Sequence, residues 1–518
     1  MGSRVALYAL ALAAAITPLW MVQHLPMVDL PQHLYLISAL ERLHDPATLY
    51  PAFFSTGRWF TPYLGYYEAV RVLGFFVPLE LSNKLFLSAY VASIPLSAAF
   101  LLSSLGRPCW PSLLGLPFAY GDSFGWGFVN SCSAWPFALM GAGACARALI
   151  EPRDRRWPVL LGLCLIGAFV FHPLGFAFLF LAVPLLLITF LVRRRHSGEV
   201  GLPGGCAVLM AIVPGSACFL TWAALRIGAA SPIARGVPWK AWGPLLSAQN
   251  LAFKGLARNA VDLTAVLADV LRDGSDRLAV EASLGVALVA CAARVLGLSR
   301  PSEARGGGLA PVLALTGLAL LLFFGLPFDV RGYVYYLNTR FAQLVAILGV
   351  CLVPRIGPRL GRALFGVAVA TALLLGTVLV RGFCAYDHEA GELDALVLAT
   401  APRPRVMGLI FDPYPRSVRL PVYLHAAAVL ARERGGICNF SFASTPQSPV
   451  RYRSTPPPTF PSEWQPGAFR YEVEGGFYDH FLLRGAEPER VFGKRLGSEL
   501  ETVAHADGFW LVRRRPVP

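Results

Sequence analysis

The sequence predicts an all-α polytopic membrane domain of about eleven spans followed by a small soluble α/β domain. Of its 518 residues, 55% are hydrophobic and only 15% charged, against about 45–50% and about 25% in ordinary soluble domains. The apolar residues are also gathered into blocks of roughly 18 to 22, enough to cross a hydrocarbon core of about 30 Å at 1.5 Å per residue. Beyond Arg381 the blocks give way to short β-type runs and turn residues, the pattern of a water-soluble domain.

In chain order, the first apolar run, Val5 to Val22, follows Arg4 and is read as an uncleaved span. A signal peptide is the alternative, and either way the segment after it lies outside. A long first loop, residues 23–80, contains a helix-like stretch from Pro31 to His44 and the aromatics Trp59, Phe60, Tyr63, Tyr66 and Tyr67, which suit a membrane interface. Further runs cover Leu81–Leu105, Trp110–Tyr120, Ser133–Ile150, Val159–Phe171, Leu174–Val192, Ala207–Ala224, Val280–Ala293, Leu309–Leu326, Phe341–Val353 and Leu364–Val380, eleven in all.

Numbering these spans from a cytoplasmic N-terminus puts every arginine cluster in a cytoplasmic loop: Arg107, then Arg153, Arg155 and Arg156, then Arg193 to Arg195, then Arg294, Arg300 and Arg305, and finally Arg355, Arg359 and Arg362. This is the positive-inside pattern of a multi-pass inner or plasma membrane protein. It divides the chain into a membrane domain, 1–382, and an extracytoplasmic α/β domain, 383–518. The latter has strands at Val406–Phe411, Ile437–Phe442, Tyr478–Arg484 and Phe509–Arg513, a helix over Pro421–Arg434, a hairpin turn at Ala506-Asp507-Gly508 and a Pro-rich surface loop, Thr455–Pro466. Much of the net charge of +14 sits in short interspan loops, so membrane lipids rather than nucleic acid are the expected neighbours. The ten cysteines contain no C-x-x-C, and Cys384 and Cys438 in the outer domain are open to pairing or to simple burial.

The most informative segment is Met27-Val28-Asp29-Leu30-Pro31-Gln32-His33, just outside the first span. Asp29 and His33 are four apart on one prospective helix, which makes an acid/base pair or, for Asp29, an N-cap. On the same side lie Arg331 and Arg340, suited to holding a phosphate by charge-assisted hydrogen bonds or to meeting lipid headgroups. His172 sits between two spans, where an ionisable ring needs a partner or a wet cavity. Asp122 lies in the turn Gly121-Asp122-Ser123-Phe124-Gly125-Trp126-Gly127.

The layout of one span, a long outer loop opening on an acid, many further spans and an outer C-terminal domain resembles the polytopic GT-C glycosyltransferases. The closest motif agreement is at Asp29 and, more loosely, at Asn338-Thr339-Arg340-Phe341. The resemblance implies inverting transfer of a hexosyl or pentosyl unit from a polyprenyl-phosphate-linked donor to a glycan, lipid or protein acceptor in the cell envelope, with no cofactor and no metal. It makes Asp29 the catalytic base. The family's frequent adjacent acidic pair is missing, because Leu30 follows Asp29, which leaves Glu41, Asp45 and Glu68 as candidates for a second acid. No phosphate-binding P-loop, H-E-x-x-H or nucleophile elbow occurs. A transporter or flippase, and an inactive scaffold, are the competing classes; the clustering of distinctive charges at the outer boundary rather than mid-membrane favours the enzyme.

Overall fold

The computed structural model describes residues 2–57, 60–228, 247–268, 270–297, 308–330, 334–445, 447–506 and 508–516. Arg331 and Trp59 lie outside the described residues. Ten of the eleven apolar runs are α-helices: Gly2–Trp20, Leu79–Ser104, Val129–Ile150, Arg156–Phe171, Pro173–His196, Gly205–Gly228, Arg277–Val295, Ala310–Gly325, Phe341–Val350 and Pro358–Ala390. Among the described residues, six helices are long and apolar enough to cross a membrane. Leu209, Met210, Val213 and Leu220 of one of them face outward, as a lipid-facing helix requires.

The eleventh run departs from expectation. Trp110–Tyr120 is not an α-helix but two 3-10 turns, Trp110–Gly115 and Pro117–Tyr120. Pro111 and Pro117 each remove a backbone donor and clash with the preceding turn, so a continuous ladder cannot form. The segment runs beside the first helix: Tyr8 and Ser112 hydroxyls meet at 2.9 Å, and Tyr120 donates to the Ala15 carbonyl at 2.6 Å. From the other side Tyr90 donates to Ala119 at 2.9 Å. Such backbone is tolerated at membrane depth only when walled in by protein, and these residues are buried.

The first loop also differs from the interfacial layer expected of it. Its helix, Leu30–Glu41, has buried residues over most of its surface, and Tyr66 and Tyr67 are core residues with 0% and 4% exposure. Tyr66 meets Asn83, Phe86 and Asn130 and Tyr67 meets His33, while the C-terminal region covers the helix and the strand before them. Phe54–Thr56 pairs antiparallel with Val450–Tyr452. The first-loop helix packs against Ala426–Arg434, where Tyr35 donates to the Gly436 carbonyl at 3.2 Å and Gln32 to the Phe440 carbonyl at 2.9 Å.

The helix Pro358–Ala390 is continuous through residues 382 and 383, and Glu392–Ala399 leads into a five-stranded sheet. Its order is Ile437–Cys438, Arg405–Ile410, His480–Arg484, Phe509–Arg514, Leu500–Ala506, the first three parallel and the last two antiparallel additions. The last two strands form the expected hairpin, in which Ala506 faces Phe509 and Gly508 takes φ +82°; Asp507 itself is outside the described residues. Cys384 and Cys438 are both free thiols, the first exposed and the second buried.

Candidate active site

Asp29 is held by the Gly-rich turn that the sequence placed far from it. Val28 N–H donates to the Gly125 carbonyl at 2.9 Å and Asp29 N–H to the Trp126 carbonyl at 3.0 Å. Gly127 has φ +83°, a left-handed conformation that glycine adopts without strain, and it lies directly on the Asp29 backbone. Asp29 occupies the N-cap position of Leu30–Glu41, yet its side chain makes no capping hydrogen bond. The carboxylate points elsewhere.

Its partner is His425, from the C-terminal region. His425 Nε2 lies 3.4 Å from Asp29 Oδ1, and Nδ1 lies 3.3 Å from Glu463 Oε2, so the ring joins two carboxylates in a row. The imidazole side chain is 3% exposed. Burial is the strongest single influence on it and pushes its pKa down, but Glu463 and Asp29 together outweigh burial and hold it up at about 10. The ring is therefore a fixed cation at neutral pH. Within the row Glu463 supplies a second acid; of the first-loop candidates, Glu68 is occupied by Arg71 at 2.9 Å and Asp45 by Arg42 at 2.9 Å.

His33 is not turned toward this row. Its Nε2 donates to the Gly127 carbonyl at 3.2 Å, which fixes the tautomer and leaves Nδ1 to accept from the Tyr67 hydroxyl at 2.7 Å. Burial keeps the ring neutral by lowering its pKa. His33 thus ties the first-loop helix to the Gly127 turn that positions Asp29.

One residue further along the same turn, the Phe128 ring carries the Arg340 guanidinium 3.9 Å above its centre. Arg340 donates to the Tyr335 and Tyr336 carbonyls at 3.2 and 3.3 Å, and no carboxylate among the described residues pairs with it. Tyr336 adopts φ +57°, unusual for an aromatic residue, with its N–H on Asp329 Oδ1 at 3.0 Å. His172 completes this end. Its Nδ1 accepts from Leu174 N–H at 3.1 Å, capping Pro173–His196, so the neutral ring carries its proton on Nε2. That proton faces Arg340 Nη1 at 3.4 Å. Two donors converge with no described acceptor for them.

Between the acidic row and this cationic end stands an aromatic wall. The Trp126 ring is 4.8 Å from Tyr336 and 6.4 Å from Trp464, the neighbour of Glu463. Asp122 opens the turn that presents Trp126, with its N–H on the Val266 carbonyl at 3.0 Å. The fold thus brings Asp29, Asp122, Arg340 and His172 around one turn, with His33 behind it and Glu68 committed elsewhere. His425 and Glu463 were not legible in the sequence. His425 falls in the recognised Pro421–Arg434 stretch, but no spacing links it to Asp29, and Glu463 sits in the Pro-rich loop, which turns inward to bury Phe460.

No protein-family model matches the sequence, and no curated protein matches it either. Among solved structures, the chain superposes on the crystal structure of ArnT from Cupriavidus metallidurans bound to undecaprenyl phosphate with a TM-score of 0.57. Identity is 12%, over 99% of this chain and 98% of that one. The chain has the fold of ArnT. The likeness runs over nearly the whole chain, from the first helix to the C-terminal sheet. The apo state of ArnT from the same organism is also similar over 99% of this chain, with a TM-score of 0.42 and 13% identity. In this ArnT-like frame the Asp29 and Arg340 ends are bridged by three consecutive residues, Trp126, Gly127 and Phe128.

Proposed function

We propose that the protein is a multi-pass membrane glycosyltransferase that moves a sugar from a polyprenyl-phosphate-linked donor to a hydroxyl-bearing acceptor outside the cytoplasm, with the N-terminus cytoplasmic and residues 383–518 outside. The observation that carries this reading is the pairing of a carboxylate end with an uncompensated cationic end across one turn. Arg340 makes no ion pair with a carboxylate among the described residues and faces the N–H of His172, an arrangement that an anionic oxygen would satisfy. The ligand of the ArnT neighbour, undecaprenyl phosphate, is an anion of that chemistry and supports the assignment. Arg331 belongs to the same outer loop and is proposed as a second phosphate ligand.

The step follows from these placements. The acceptor oxygen attacks the anomeric carbon while its proton passes to Asp29, and the carbon–oxygen bond to phosphate breaks with its electron pair leaving on the phosphate. Arg340 and the His172 Nε2–H stabilise that developing charge. The His425 ring lies against Asp29 beforehand, its Nε2 3.4 Å from Oδ1. After Asp29 takes the proton, the imidazolium remains paired with Glu463, so no lone buried charge is left behind.

Asp29→Asn tests the reading, because it keeps the side-chain shape and cannot take a proton. Transfer by the purified, folded variant falls by about 10²- to 10⁴-fold while polyprenyl phosphate binding persists. Near-wild-type turnover would remove Asp29 from the chemistry.

A further inference from the structure

We propose that Arg107, Arg294 and Arg355, at the end of the membrane body opposite Asp29, hold the phosphate of an anionic phospholipid whose acyl chain lies along the outward face of Arg277–Val295. The seat begins with how the span Leu79–Ser104 stops. Gly106 takes φ +66°, its N–H meets the Ser103 carbonyl at 3.0 Å, and the Arg107 N–H meets that of Leu102 at 2.8 Å. This is a Schellman turn, which ends the helix and satisfies its last carbonyls. The Arg107 guanidinium then crosses to the end of Phe341–Val350, where Nη2 donates to the Leu352 and Val353 carbonyls at 3.2 and 2.7 Å. Arg355 returns the contact, its Nη2 donating to the Gly106 carbonyl. Two helix ends thus hold two guanidiniums side by side.

Neighbouring cations repel one another unless an anion joins them. Burial lowers the pKa of Arg107, and the like charges of Arg355 and Arg294 lower it further. The acids described in the neighbouring basic loops are committed elsewhere, Glu151 to Arg147, Asp154 to Arg156 and Glu199 to Arg194. Glu303 lies outside the described residues. Arg107 and Arg355 each spend Nη2 on the protein, which leaves Nη1 of each for a ligand, and Arg294 is exposed in the last turn of its helix. Phosphate oxygens accept from such donors in charge-assisted bonds, and basic pockets between membrane helices bind anionic head groups. The neighbouring helix makes the ligand a lipid rather than a free anion. Leu284, Leu288, Cys291 and Val295 are exposed and share one face of Arg277–Val295. That stripe is about 16 Å long at 1.5 Å per residue, close to half of a hydrocarbon core of about 30 Å, the depth of one leaflet. It ends beside Arg294, and Cys291 is itself among the groups whose charge Arg107 senses. A chain lying on the stripe brings its head group to the three arginines.

The experiment is native mass spectrometry of the full chain released from detergent, with dioleoyl phosphatidylglycerol, dioleoyl phosphatidylcholine, inorganic phosphate and decaprenyl phosphate as separate probes. Phosphatidylglycerol binds at least about tenfold more tightly than phosphatidylcholine. Arg294→Gln and Arg355→Gln each weaken it by about tenfold, the scale of one charge-assisted hydrogen bond, whereas Arg153→Gln, at an exposed position of another basic loop, changes it by less than about threefold. Arg294 takes no part in the clamp between the two helix ends, so Arg294→Gln decides the matter if melting curves show Arg355→Gln to be unfolded. Equal retention of the two phospholipids, or equal losses in Arg153→Gln and Arg294→Gln, would overturn the site in favour of general attraction to charge. Tighter binding of inorganic phosphate or decaprenyl phosphate than of phosphatidylglycerol, lost in Arg294→Gln, would overturn the phospholipid as its occupant.

Discussion

Gly127 lies so close to Asp29 that a Cβ built on it would sit 2.9 Å from both the Asp29 Cβ and its backbone nitrogen. The contact sets where the carboxylate can be. Gly127→Ala adds that Cβ and also forces an L side chain into φ +83°, a strain on the order of 1–3 kcal/mol. The expected outcome is a lower melting temperature and a transfer rate reduced by about a hundredfold, the scale of a misplacement of about 1 Å. Turnover and melting curves of the purified variant check it; unchanged turnover would mean that the turn does not position Asp29.

Arg340→Ala removes the cation stacked on Phe128 and should weaken polyprenyl phosphate binding by about ten- to a hundredfold, from the loss of a charged hydrogen bond worth roughly 1.5 to 3 kcal/mol. Arg194, which pairs with Glu199, is the control. Titration of both alanine variants with decaprenyl phosphate distinguishes a specific site from general lipid attraction, which would weaken them equally.

His425 gives the protein a pH signature on the alkaline side. Its folded pKa of about 10 lies above the free value of 6.5, so its contribution to stability is complete below pH 6.5 and disappears as pH rises to about 10. The charged groups facing it are Asp29 and Glu463. The nearest other titratable ring, His33, is shifted downward by burial and acts only below its ordinary range. The wild-type melting temperature should therefore fall across pH 6.5 to 10, and that of His425→Gln should stay flatter over the same interval. Parallel slopes would show that the ring is not held charged.

The proposed orientation is tested with single cysteines in a cysteine-free background. Ser197 follows the basic end of Pro173–His196, and Ser498 is an exposed residue of the C-terminal region. An impermeant thiol reagent added to intact cells should label a cysteine at 498 and spare one at 197. The reverse pattern would invert the assigned hand.

Most of the membrane body was legible because apolar length is a local signal. Ten runs could be located from composition alone, and the one that is not an α-helix carries its own warning in Pro111 and Pro117. Asp29 and Arg340 were legible as charges at span boundaries. Their relation was not, since it depends on the Gly127 turn folding between them. Tyr66 and Tyr67 looked interfacial because sequence does not say what covers them, and their neighbours come from distant segments: His33 of the first-loop helix, Asn83 and Phe86 of Leu79–Ser104, and Asn130 of Val129–Ile150. Glu463 was hidden for the same reason: a carboxylate in a Pro-rich stretch resembles any solvated loop residue until its partner ring is placed.

The pairing of Phe54–Thr56 with Val450–Tyr452 has a consequence for biogenesis. The first-loop strand is made early by the ribosome and its partner very late, after every long apolar helix has left the exit tunnel. Until then the edge of Phe54–Thr56 is unsatisfied and Asp29 has neither His425 nor Glu463 beside it. A nascent chain can therefore hold its membrane helices in place and still present no assembled acid row, so this site is completed only after the whole membrane body has been threaded.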